Sequence, residues 1–159
     1  MIEKLILNIP HPSEGFIEGG DGEYDTEELS ALVKIFGGSK IQDHILETES
    51  HLAPDSLIIS CYSFSEENDQ AADIRIGWNN DSTRPDEAYL TDVVSIFREH
   101  GFRVLCQTEC SVASPIPSCG CKSISIGLNR RIYLNGRELR ADAYKVAAAI
   151  NRVYGALHG

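Results

Sequence analysis

The sequence predicts an α/β domain in which a mostly parallel sheet is flanked by helices in three layers. Three observations predict it. Short apolar runs of strand length alternate along the chain with amphipathic segments of helical period. The strand-like runs are continuous enough for strands buried on both faces. The chain has 159 residues, 42% apolar and 24% charged, enough for one substantial core. Residues 1–159 are therefore expected to form a single domain.

Lys4 to Ile9 is a compact apolar run that Pro10 stops, so a first strand is followed by a loop from His11 to Gly22. Asp25, Thr26, Glu27 and Glu28 precede Leu29, Leu32, Val33 and Phe36, an i, i+3, i+4, i+7 stripe that ends at Gly37 and Gly38. This predicts a helix with both ends marked. Ser39 to Asp55 is polar and reads as a connector containing a short strand or turn. Leu57 to Tyr62 and Asp73 to Trp78 are the next strands, separated by the acidic loop Glu66 to Gln70. Pro85 suits a first helical turn, with Asp86 and Glu87 at the positive end of the dipole, and Tyr89, Leu90, Val93 and Phe97 repeat up to Gly101. Phe102 to Cys106 and Ser123 to Leu128 read as strands. Glu138 to Leu157 carries Leu139, Ala143, Val146, Ile150, Val153 and Leu157 on one face, which predicts a long closing helix.

Fourteen Lys and Arg against twenty-four Asp and Glu give a formal net charge of -10. Such a surface repels nucleic acid and anionic lipid, so neither is an expected partner. No apolar stretch is long enough to span a bilayer, and Asn8 and Pro10 interrupt the first apolar run too soon for a secretory signal. The expected location is the cytoplasm, where the five cysteines would be thiols. Cys106, Cys110, Cys119 and Cys121 make a C-x3-C-x8-C-x-C array that does not match the paired knuckles of zinc ribbons. The segment from Ser111 to Gly120, rich in Ser and Pro, reads as the rim of a pocket.

His11 and Glu14 stand just past the first strand, where open α/β sheets hold ligands. A His-x-x-Glu in that place can grip a hydrolytic zinc. Asp25 is a candidate ligand with a structural rival, because a carboxylate three residues before Glu28 can cap the helix. His44 and His51 in the connector are reserve nitrogen ligands, whereas His100 suits the negative end of its helix. Arg75, inside an apolar strand, must reach solvent or meet a carboxylate. Asn129, Arg130 and Arg131 follow an apolar strand, and a guanidinium there can hold a carboxylate by two parallel hydrogen bonds. Arg130 is the candidate for that role. Trp78 and Tyr133 read as core or pocket-wall aromatics.

Local patterns recur in order at Ile9, Pro10, His11; at Asp25, Thr26 ahead of Leu29; at Ser60, Cys61, Tyr62, Ser63; at Ala72 to Gly77; at Gly101 to Val104; and at Leu128 to Tyr133. Together they span most of the chain, and it resembles the N-formylglutamate amidohydrolase family, most specifically at Leu128 to Tyr133. The resemblance implies a zinc carboxypeptidase-like fold and hydrolysis of a formyl or acyl amide by zinc-activated water, with an Arg holding the substrate carboxylate. It implies zinc on His11 and Asp25, catalytic roles for Glu14 and Tyr62, and substrate binding by Asn129 and Arg130. The expected ligand is a small carboxylate-bearing molecule, an N-formyl or N-acyl amino acid.

Three departures accompany the likeness. Tyr62 stands where the family's Asp-Cys-His-Ser pattern has a histidine, and Gly127 aligns with a proton-shuttling Glu. The central segment between the first helix and second strand is shortened to the connector around His44 and His51. A phenol binds zinc only if strongly acidified, and glycine transfers no proton. The alternative expectation is thus a non-catalytic module that keeps the carboxylate pocket without the metal.

Overall fold

The computed structural model describes residues 4–8, 17–18, 26–36, 41–42, 56–66, 68–108, 122–136 and 138–158. The strands are β1 (Lys4–Asn8), β2 (Ile17–Glu18), β3 (Ile41–Gln42), β4 (Ser56–Phe64), β5 (Ile74–Trp78), β6 (Val104–Thr108), β7 (Lys122–Asn129), β8 (Leu134–Asn135) and β9 (Glu138–Leu139). The helices are α1 (Thr26–Phe36), α2 (Glu87–Glu99) and α3 (Tyr144–His158), and a 3-10 turn covers Arg130–Ile132. β1 to β7 form one seven-stranded sheet in the order β3-β1-β4-β7-β5-β6, with β2 also paired to β4. β1, β2, β3, β4 and β7 run parallel. β5 is antiparallel to β7, and β6 follows β5 in parallel. The mostly parallel α/β sheet expected from the sequence is present, with a reversed pair at one edge.

β7 reads Lys-Ser-Ile-Ser-Ile-Gly-Leu-Asn. Its period of two puts Ile124, Ile126 and Leu128 on one face. Register places Ile59, Cys61, Ile74 and Ile76 beside them. These residues join Leu32 and Phe36 of α1, Leu90, Val93 and Phe97 of α2, and Val146, Ile150 and Val153 of α3 in one buried cluster. α3 packs against both α1 and α2, so the described helices form a layer on that face. The opposite face carries Ser60, Ser123, Ser125 and Arg75, all buried, interspersed with Gly77 and Gly127. Among the described residues, no helix covers that face.

Several boundaries differ from expectation for identifiable reasons. β2 falls inside the segment read as a loop from His11 to Gly22. Asp86 occupies the N-cap position of α2 without a side-chain capping hydrogen bond, so Pro85 precedes the helix instead of opening it. At its other end Gly101 takes a φ of 88°, and its N–H bonds to the Arg98 carbonyl, a left-handed stop that favours glycine. α3 starts at Tyr144 and not at Glu138, because Glu138–Leu139 folds back on Leu134–Asn135 as an antiparallel hairpin. Gly136, at φ 65°, makes that turn after Asn135. Leu139, counted above on the helix's apolar face, is consequently 45% exposed.

Candidate functional site

The carboxyl ends of β4 and β7 meet at one rim, where Phe64 pairs with Asn129. Because β5 is reversed, it begins at the same rim, Ile74 opposite Leu128. The chain from 65 to 73 must therefore cross over the end of β7 to connect β4 to β5. Asn129 and Arg131 hold that crossing from beneath. Asn129 Nδ2 donates to the carbonyls of Glu66 (2.7 Å) and Ala72 (3.0 Å), and its Oδ1 accepts from the Arg131 N–H at 3.3 Å. Arg131 donates to the carbonyls of Asn68 (3.2 Å) and Ala71 (2.9 Å) and pairs with Asp73 at 3.1 Å. Both amide hydrogens of Asn129 are thus used on backbone, and the residue is 1% exposed.

Arg130 stands between these braces, half-buried in the 3-10 turn. It lines a cavity of about 430 Å³ together with Ser65, Asn129, Arg131, Gly136 and Arg140. Among the described residues, three arginines and no carboxylate line it, a local inversion of sign in a chain of net charge -10. Arg140 is fixed by Asp142, at 2.9 Å from Nε and 3.2 Å from Nη2, while its Nη1 donates to the Arg131 carbonyl at 2.7 Å. The Arg140 hydrogen bond holds the Asp142 carboxyl below the usual carboxylate range. Sequence reading missed Arg140 because it fell within a presumed helix; the Arg140-Ala141-Asp142 spacing was the available signal.

Deeper in the sheet, Tyr62 of β4, Gly127 of β7 and Arg75 of β5 are register partners in one row. Tyr62 is fully buried. A Cβ placed on Gly127 would lie 2.7 Å from both Cε2 and Oη of Tyr62, so the phenol ring occupies the space of a side chain at 127. Beside it the Arg75 guanidinium sits 3.9 Å from the Phe64 ring centroid, and its Nη2 bonds to Glu66 at 2.7 Å. The carboxylate that a buried Arg75 requires is therefore Glu66. Hydrogen bonds from Asn68 and Arg75 hold the Glu66 carboxyl below its ordinary range.

Of the residues expected to form a site, Tyr62, Asn129 and Arg130 are described, on β4, at the end of β7 and in the 3-10 turn that follows it. His11, Glu14 and Asp25 lie outside the described residues, as do His44, His51, Cys110, Cys119 and Cys121. β1 ends with Asn8 beside Ser60, and β2 begins with Ile17 beside Ser63. The described ends of the segment that carries His11 and Glu14 therefore flank Cys61 and Tyr62. Among the described residues, no group of three His, Cys, Asp or Glu side chains could hold a metal. The position aligned with a histidine ligand is a buried phenol, and the position aligned with the proton shuttle is filled by that phenol's ring. The described half of the rim does not fit the zinc that the resemblance implies.

No family model matches the chain, and no curated protein matches it. Solved structures do. An N-acetylmuramoyl-L-alanine amidase from Clostridium difficile 630 is similar over 96% of this chain and 95% of its own, with 15% identity and a TM-score of 0.55. A bacteriophage poly-gamma-glutamate hydrolase is similar over 97% of this chain and 85% of its own, with 14% identity and a TM-score of 0.52. For an N-formylglutamate amidohydrolase from Ralstonia eutropha JMP134 the values are 62%, 40%, 16% and 0.45, and that likeness does not assign the chain to the family. Among the described residues, no helix is long and apolar enough to cross a membrane. At these identities the likeness is one of fold: a single mostly parallel α/β sheet with flanking helices, shared with the amidase and the poly-gamma-glutamate hydrolase.

Proposed function

We propose that this chain is an amidohydrolase-fold protein that recognises an N-formyl or N-acyl amino acid by its carboxylate, with hydrolysis degraded at positions 62 and 127. The arginine-lined cavity at the carboxyl rim carries the reading. A guanidinium presents paired N–H donors that match a carboxylate, and a cavity whose charged described lining residues are all arginines favours an anion. Arg130 is the proposed ligand contact, with Asn129 and Arg131 acting on it indirectly by fixing the crossing chain. The fold supports an amide-bearing ligand, since the amidase and the poly-gamma-glutamate hydrolase that resemble it are hydrolases by name.

Metal-dependent hydrolysis is the second reading, favoured by the flanking of Tyr62 by the ends of the His11 segment. It requires His11, Glu14 and Asp25 to supply zinc ligands and a base without help from positions 62 and 127.

Thermal denaturation of the purified chain with N-formylglutamate and N-acetylglutamate tests the proposal. A carboxylate bound only by the native state stabilises it by about 2.7 kcal/mol at a hundredfold excess over Kd. Stabilisation that disappears in Arg130→Ala, with no amide cleavage on adding zinc, is the expected result. Unchanged stabilisation in Arg130→Ala removes the pocket assignment. Zinc-dependent cleavage that is lost in His11→Ala establishes the second reading instead.

A further inference from the structure

A second cavity, of about 340 Å³, adjoins the first and shares Arg131 and Arg140 with it. Its chemistry is different. Phe102, Ile132 and Val146 supply apolar wall, and Gly101 leaves one side without a side chain. Its two carboxylates are already neutralised, Asp73 by Arg131 at 3.1 Å and Asp142 by Arg140 at 2.9 Å. Lys145 stands at its margin on the first turn of α3.

Arg140 is the partition between the two. Its Nη1 is tied to the Arg131 carbonyl and its other side to Asp142, so one guanidinium faces the cationic lobe and the apolar one. Ligand pockets combine a few placed polar groups with a larger apolar wall; the first lobe brings Arg130, and the second adds the wall of Phe102, Ile132 and Val146. The combined space suits one molecule with an anionic head and a bulky apolar arm.

The geometry points to selectivity for N-acyl amino acids whose acyl group is large and apolar, seated against Phe102 and Ile132 while the carboxylate meets Arg130. This rests on the carboxylate-binding reading above and extends it to the other end of the ligand. A formyl group is too small to reach the second lobe. An aromatic acyl group fills it and removes apolar surface from water on both sides.

Calorimetric titration of the whole chain with N-formylalanine, N-acetylalanine and N-benzoylalanine decides the matter. The expected order is benzoyl tightest, with Kd at least about tenfold below that of the formyl compound, from burial of one ring. In Ile132→Trp, which fills the lobe, and in Phe102→Ala, which strips its wall, the benzoyl-to-formyl ratio falls toward unity. Equal affinities for all three in the unaltered protein overturn the two-lobed site while leaving carboxylate recognition intact. Failure of all three to bind overturns both.

Discussion

Replacing Gly127 with alanine tests the packing on which the reading of the rim depends. The three heavy atoms nearest to the added methyl are Cζ, Cε2 and Oη of Tyr62, the latter two at 2.7 Å, closer than real Cβ contacts allow. The ring has little room to yield, being fully buried and set at a tilt beside Phe64, 6.4 Å between centroids. Overpacking of this kind costs about 1–3 kcal/mol, partly offset by the gain of about 0.5–1 kcal/mol that alanine brings to a strand over glycine. A net loss of about 1–2 kcal/mol lowers the urea midpoint by about 0.5–1 M at an m-value near 2 kcal/mol/M.

The informative comparison is the same substitution in the Tyr62→Leu background, where the opposing atoms are gone. There Gly127→Ala is neutral or stabilising, and the cycle yields a coupling of about 2 kcal/mol. Tyr62→Phe serves as the control, since it keeps Cζ and Cε2 and with them the clash. Urea titrations followed by far-UV circular dichroism give every term. An equal cost of Gly127→Ala in all backgrounds would refute the claim that the phenol occupies the missing side chain's space.

Asn129→Asp turns an amide that donates to two carbonyls into a carboxylate facing them, and is expected to cost about 3 kcal/mol or more by urea titration; a loss under 1 kcal/mol contradicts the brace. Arg131→Lys cannot reproduce a fork that reaches Asn68, Ala71 and Asp73, so a loss of about 1–2 kcal/mol and faster proteolysis between 65 and 73 are expected. In acid, Glu66 and Asp142 have depressed carboxyl pKa values, so the unfolded chain binds more protons there. Their stabilisation is present above the ordinary carboxylate range and is lost as pH falls through it. The pair Glu66→Gln and Asp142→Asn should flatten the acid limb of stability against pH, and an unchanged limb counts against both contacts. In alkali the sign reverses. Burial, and then the Cys61 charge, raise the Tyr154 pKa, so its contribution holds below about pH 10 and is lost as pH rises further. Tyr154→Phe, which loses the 2.8 Å bond to the Phe36 carbonyl, should lower stability by about 1 kcal/mol at pH 7 yet decline less between pH 9 and 11.

Much of the architecture was legible because hydrophobic period and chain punctuation are local signals. Leu29 to Phe36 and Leu90 to Phe97 announced α1 and α2, and the glycine after α2 marked its end. The direction of β5 was not legible, since Ile74 to Trp78 reads the same whether it runs with β7 or against it. Leu139 misled for a related reason: its helical spacing was real, but the Asn135-Gly136 turn outranked it. At the rim, Arg130 was singled out as a candidate from its place after a strand, whereas the duties of Asn129 and Arg131 depend on carbonyls about sixty residues earlier in the chain, which spacing does not reveal. The meaning of Tyr62 and Gly127 emerged only from their register, which turned two separate departures into one packed pair.

The reversed course of β5 divides the labour between the two ends of the sheet. The β4-to-β5 connection and the start of β5 stay with the arginines, while the turn from Asn79 to Pro85 is sent to the opposite end, beside Lys122 and Ser123. Exposed residues there, Asn80 to Ser82, can be lengthened, replaced or fused to another sequence without touching the arginine-lined rim. That end is free to diversify, or to carry a reporter, while the cationic end stays fixed.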